Sequence, residues 1–165
     1  MNRGNNPSDR IFRTARGYPV KRAMAEIRGS EAFPELRGSV QFRQTPRGVL
    51  VRAEIMNLPT EENSGKGVFG FHIHEGNACR GTVNDPFADA GGHYNPSGVL
   101  HPFHAGDLPP LFGNDGYAWM EVLTDRFELG EVLGRTVIIH RQPDDFISQP
   151  AGNSGMRIGC GVIRG

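Results

Sequence analysis

Six histidines carry the chemistry of this chain of 165 residues, and five of them fall between residues 70 and 107. His72 and His74 stand two apart, directly after Gly67-Val68-Phe69-Gly70-Phe71. On a β-strand that spacing places both rings on one face. His93, His101, His104 and Asp107 follow on a stretch that reads as loop, and His140 ends a separate apolar run. A single histidine is ordinarily a hydrogen-bonded or exposed ring. Six imidazoles and a carboxylate, nearly all clustered, offer more donors than one metal ion takes. The set predicts two ions of the borderline kind, zinc or copper, rather than calcium or magnesium.

The elements that must position these residues read as strands. Residues 22–28, 38–44, 49–55, 68–74, 117–123, 135–140 and 158–163 alternate or run apolar, with turns at Thr45-Pro46-Arg47-Gly48 and Asn114-Asp115-Gly116. Short strands separated by turn residues predict an all-β antiparallel sandwich or barrel. No amphipathic helix of three turns and no internal repeat is visible. Two connections, 75–115 and 141–157, carry no strand signal. Loops of that length in a compact domain are functional or pinned, and both are rooted beside histidines and cysteines. A metal and a disulfide would supply the ordering energy.

Composition narrows the classes. The chain has 23 glycines and 12 prolines, too many for a helical protein. With 18 basic and 18 acidic residues its formal charge is zero, which excludes nucleic acid held by bulk charge. No apolar run approaches the roughly 20 residues of a membrane span. Residues 1–21 read as a polar, basic, flexible extension, and 22–165 as one domain. The extension has no apolar core of a signal peptide, so the expectation is a cytoplasmic protein or an exported one whose signal has been removed. Cys79 and Cys160 belong to no CxxC pair. A disulfide tying the histidine-rich loop to the last strand is favoured; two buried free thiols are the alternative.

An HxH pair also occurs in cupin-type sites, but Glu75 follows His74 directly, where a cupin needs its glutamate further on. Taken together, Gly70-Phe71-His72-Ile73-His74-Glu75, Gly92-His93-Tyr94-Asn95-Pro96, His101, His104-Ala105-Gly106-Asp107-Leu108, Gly134 through His140, Asp144-Asp145 and Gly155 through Ile163 resemble, in order, the copper/zinc superoxide dismutase family. The resemblance covers roughly residue 23 to the C-terminus. It implies an eight-stranded antiparallel Greek-key β-barrel, an immunoglobulin-like sandwich with two long functional loops. It implies copper on His72, His74, His93 and His140, and zinc on His93, His101, His104 and Asp107, with His93 bridging as an imidazolate. Asp144 matches the carboxylate that links a copper histidine, here His72, to a zinc histidine, here His101. Arg157 matches the arginine that meets the incoming anion, and Cys79 and Cys160 match the family's disulfide. The implied activity is dismutation of superoxide to dioxygen and hydrogen peroxide, with His93 also carrying a proton to the product. A homodimer and a copper-delivery partner belong to the same expectation.

On residues alone, Asp144 is a turn residue beside Pro143, Asp107 caps the turn begun at His104, and Arg157 is a surface charge. The family pattern reverses those readings. The sequence also departs from the better-known members. The spacing from His101 to His104 is short, and the stretch between Asp145 and Arg157 is trimmed and uncharged. Fixed charge near copper would come mainly from the metals and Arg157, with Arg141 in second place. Two rivals remain. A non-catalytic copper-handling domain would be expected to lack copper ligands, and all four are present. A structural zinc module for partner binding predicts stoichiometric zinc and no copper spectrum.

Overall fold

In the computed structural model, residues 21–60 and 67–165 are described; of the expected extension 1–21, all but Lys21 lies outside them. Strands β1 (Arg22–Gly29), β2 (Arg37–Thr45) and β3 (Gly48–Met56) form a meander. Then come β4 (Val68–Phe69), β5 (Phe71–His74), β6 (Leu111–Phe112), β7 (Ala118–Thr124), the single turn α1 (Leu129–Val132), β8 (Thr136–His140) and β9 (Arg157–Val162). Seven strands make one sheet in the order β5-β8-β9-β1-β2-β3-β7, every pairing antiparallel, and β4 with β6 forms a separate ribbon. The sheet curls into a half-barrel, and the expected all-β architecture is what forms.

Strict alternation drives the curl. In β1 the residues Ala23, Ala25 and Ile27 are buried between exposed neighbours, and β3 buries Val49, Val51, Ala53 and Ile55 in the same way. These side chains, with Val40, Phe42, Phe69, Phe71, Ile73, Val137, Ile139 and Ile158, form the main core. A second, small core of Ala90, Ile138 and Cys160, flanked by Cys79 and Phe87, lies between the long loop and the sheet.

Two details differ from the sequence reading. The run 68–74 breaks at Gly70, whose N–H donates to Gln142 O at 2.8 Å and whose carbonyl accepts from His140 N–H at 2.8 Å. The stretch 75–115 contains the strand β6, which at two residues is too short to show alternation. Among the described residues β5 has no neighbouring strand on its outer side; the loop covers that edge instead. Ile73 N–H donates to Gly106 O, and Tyr94 N–H donates to Ile73 O, both at 2.8 Å. An exposed edge is thereby closed, and the histidine-rich loop is laid along the strand that carries His72 and His74.

Candidate metal centre

His72 and His74 project from one side of β5 while Ile73, between them, joins the main core. Isolated bridges pair His72 with Asp107 and His74 with His93, bringing the loop residues against the strand. His140 arrives from β8, where the register with β9 shifts between Ile139 and His140 so that His140 faces Arg157. Such a bulge re-aims a side chain. All six histidines and Asp107 are buried. The rings of His72 and His93 lie 3.9 Å apart, those of His74 and His140 5.4 Å, and those of His93 and His104 5.5 Å.

The donors fall into two groups, His72, His74, His93, His140 and His93, His101, His104, Asp107, with ligand atoms within 4.8 Å of one another in each. His93 belongs to both. The hydrogen bonds decide which ring nitrogens are free. Asp144 takes a hydrogen bond from His72 Nε2 at 2.8 Å and from His101 Nε2 at 2.9 Å, which leaves both Nδ1 atoms without protons. His74 Nδ1 donates to Gly91 O at 2.9 Å and His140 Nδ1 to Gly155 O at 3.1 Å. Their Nε2 lone pairs then face each other at 3.2 Å. Two lone pairs at that distance repel unless a cation lies between or beside them.

The same conclusion follows from unpartnered atoms. His72 Nδ1, His93 Nε2, His101 Nδ1 and His104 Nδ1 are buried with no hydrogen bond. His101 Nδ1 and His104 Nδ1 sit 3.1 and 3.3 Å from Asp107 Oδ2 without hydrogen-bond geometry, while His93 Nδ1 reaches Asp107 Oδ1 at 2.7 Å. Orphaned buried nitrogens are costly. Here they converge on two points, one per donor group, so the residues fit two metal ions. Nitrogen-rich sets favour copper or zinc.

Burial lowers His72 to about 4 and His140 to about 3, and pushes His74 well below the ordinary imidazole value; repulsion from neighbouring rings adds to it in each case. These rings are neutral at pH 7 and hold lone pairs ready. Burial alone would raise the Asp144 carboxyl, but hydrogen bonds from His72, Phe146 N–H and His101 overcome it and hold the group well below the carboxylate range. Asp107 is lowered too: burial opposes the shift, and the hydrogen bond from His93 and the fields of the His93, His101 and His104 rings prevail. A folded-state pKa below the unfolded one means the unfolded chain binds more protons in between. The metal-free protein is therefore expected to lose stability as pH falls from 6.5, the ordinary imidazole value, toward about 4, where His72 titrates. Urea midpoints of the metal-free protein across that window check this; a flat profile would contradict the burial of neutral rings.

Arg157 is half-buried, its Nη1 donating to Phe87 O at 2.9 Å and Nη2 to Gly91 O at 2.8 Å. The pairing of β8 with β9 sets it across from His140, and its charge contributes to lowering that ring. Cys79 and Cys160 form a disulfide, with Cα atoms 5.7 Å apart, so the free-thiol alternative is removed. Arg141 stacks over the Phe33 ring, 5.3 Å from its centroid.

Three residues passed over in the sequence shape the centre. Gly152 has φ +65°, and a Cβ there would overlap Asp144 Oδ1 and lie 2.7 Å from His101 Nε2, so only glycine admits the carboxylate between its two rings. Gln149 and Arg126 hold the backbone of the loop that carries His101, His104 and Asp107. None has a local sequence signal, because each acts on residues far away in the chain.

Comparison with known proteins agrees with this geometry. The sequence model described as copper/zinc superoxide dismutase matches residues 36–163. A Cu-Zn superoxide dismutase of Aquifex aeolicus is 35% identical over 158 residues, covering 87% of this chain and 86% of that protein. One from Deinococcus radiodurans is 34% identical over 149 residues, covering 79% and 78%. The crystal structure of a double mutant of a SOD-like protein from Bacillus subtilis superposes with a TM-score of 0.70 at 30% identity, covering 86% of this chain and 97% of that one. With two donor groups that fit the metals of the family's name, and with this likeness along most of its length, the chain belongs to the copper/zinc superoxide dismutase family.

Proposed function

We propose that the chain is a superoxide dismutase, converting two superoxide anions and two protons to dioxygen and hydrogen peroxide. Copper would be held by His72, His74, His93 and His140, and zinc by His93, His101, His104 and Asp107. The observation that carries the reading is the membership of His93 in both donor groups, with Nδ1 turned to Asp107 and Nε2 buried and unpartnered. Copper, when bound, supplies one-electron oxidation and reduction of superoxide in alternate turns.

The chain's own residues do the rest. His93, the residue common to both donor groups, would serve both metals as a shared imidazolate, and its buried, unpartnered Nε2 would hold a proton for the peroxide product. Asp144 keeps His72 and His101 in the tautomer that frees both Nδ1 atoms. Arg157, seated on two carbonyls and paired across from His140, would meet the incoming anion with its remaining guanidinium N–H groups. The loop between Asp145 and Arg157 is uncharged, so the attraction near the site would come mainly from the metals and Arg157, offset in part by Asp85, whose Oδ1 lies 3.8 Å from Arg157 Nη1. Residues 22–165 form the catalytic domain in this reading. The Cys79–Cys160 bond favours an oxidising compartment, and so an exported protein. A homodimer and a copper-delivery partner fit the reading equally.

Superoxide decay followed by stopped flow with the copper- and zinc-loaded protein tests it. Decay no faster than with free buffer would end the proposal. Arg157→Ala is expected to slow decay about 10-fold with metal content unchanged, since removing an attractive charge acts on the encounter. Unaltered decay in that variant would remove Arg157 from the anion's path. Loss of copper ligands marks the non-catalytic alternative, and none is lost here.

A further inference from the structure

We propose that Arg126 and Gln149 are positioning residues for the second donor group, holding its loop in the shape that presents the ligands before a metal arrives. The inference rests on the reading of that group as the zinc site. Arg126 lies two residues past the end of β7, on the connection to α1. Its Nη1 donates to the carbonyls of Pro102 at 2.9 Å, His104 at 3.2 Å and Asp107 at 3.3 Å. The loop thus has two working sides. Three carbonyls gather outward on one guanidinium nitrogen, while the side chains of His101, His104 and Asp107 gather inward on one another.

Three carbonyl oxygens aimed at one point repel, and a charged donor at that point turns the repulsion into charge-assisted hydrogen bonds. Among the described residues Arg126 has no carboxylate partner. Its charge is spent on the loop backbone. The link also anchors the loop to β7, which pairs with β3 in the rigid sheet. A flexible turn is thereby referred to a scaffold strand, the arrangement that precise metal geometry needs.

Gln149 acts from the opposite loop. Its Oε1 accepts from His101 N–H at 2.9 Å, and its Nε2 donates to His101 O at 2.7 Å. One side chain therefore satisfies both backbone groups of a ligand residue whose ring is already held through Nε2 by Asp144. Backbone and ring of His101 are both restrained, and rotation that would carry Nδ1 away from Asp107 is blocked. Neither Arg126 nor Gln149 touches the inward-facing donor atoms, so each acts through the residues it holds.

The experiment measures zinc and copper affinities of the whole protein by chelator competition, with the absorption spectrum of the cobalt-substituted second site as a geometric readout. Arg126→Ala and Gln149→Ala are each expected to weaken zinc about 10-fold, the usual scale for supporting residues. Copper affinity should stay within about 2-fold, and the cobalt bands should shift, because only one ligand set is loosened. Arg126→Lys keeps the charge with fewer donors and should fall between; it also supplies the comparison if Arg126→Ala does not fold. His104→Ala is the control for the zinc reading itself. If His104→Ala binds zinc as tightly as the parent protein does, that reading and this inference are overturned together. Binding that His104→Ala abolishes, but that all three clamp variants retain at full affinity with an unshifted cobalt spectrum, would overturn the inference alone. An equal loss of both metals would also overturn it, by showing a general loss of stability.

Discussion

His93→Ala is expected to lower superoxide decay by at least about 100-fold and to weaken both metals at once. Proton transfer from a positioned ring contributes on that order by itself. The variant also takes one donor from each group, because His93 alone is shared between them. The informative comparison is with His104→Ala, which removes a donor from the second group only. Metal content, the copper(II) spectrum and stopped-flow decay on the two variants separate the cases. If His93→Ala loses one metal and keeps the other at parental affinity, the ring is not shared, and the proposed proton carrier is misassigned.

Cys79→Ser is expected to be the most damaging change outside the metal ligands. The bond closes a separation of 81 residues. On the chain-entropy account that is worth about 4–5 kcal/mol, an upper figure. At roughly 2–4 °C per kcal/mol for a domain of this size, the metal-free melting temperature should fall by about 8–20 °C. The effect should reach function as well. Cys79 ties down the loop whose carbonyls at Phe87 and Gly91 seat Arg157, and Gly91 O also orients His74. Calorimetry together with superoxide decay on Cys79→Ser checks both parts. A shift of a degree or two, with unchanged decay, would show that the small core around Ala90 and Ile138 holds the loop unaided.

Much of the scaffold was readable because its signal is local. Alternation in 22–28 and 49–55 shows on the sequence and reappears as buried and exposed sides of β1 and β3. The histidine pair at 72 and 74 was legible for the same reason, since period two needs no partner strand. The strand β6 was not, because two residues carry no period. The break at Gly70 was not either, because it is made by a hydrogen bond from Gly70 N–H to Gln142 O and another from His140 N–H to Gly70 O. Asp144 shows the limit most clearly. Beside Pro143 it reads as a turn residue, and its place between His72 and His101 exists only once two loops have closed on each other.

The chain by itself determined the kinds of donor available, their order, and the faces from which the strand histidines project. These depend on side-chain chemistry and a two-residue repeat, both of which are written locally. Tertiary structure decided which nitrogen of each ring is free, that His93 belongs to two groups, and that Arg126, Gln149 and Gly152 shape the centre from outside it. A ring's tautomer follows from the partner its other nitrogen meets, and the partners of His72, His74, His101 and His140 lie between 15 and 72 positions away. Only folding brings such partners within hydrogen-bond reach.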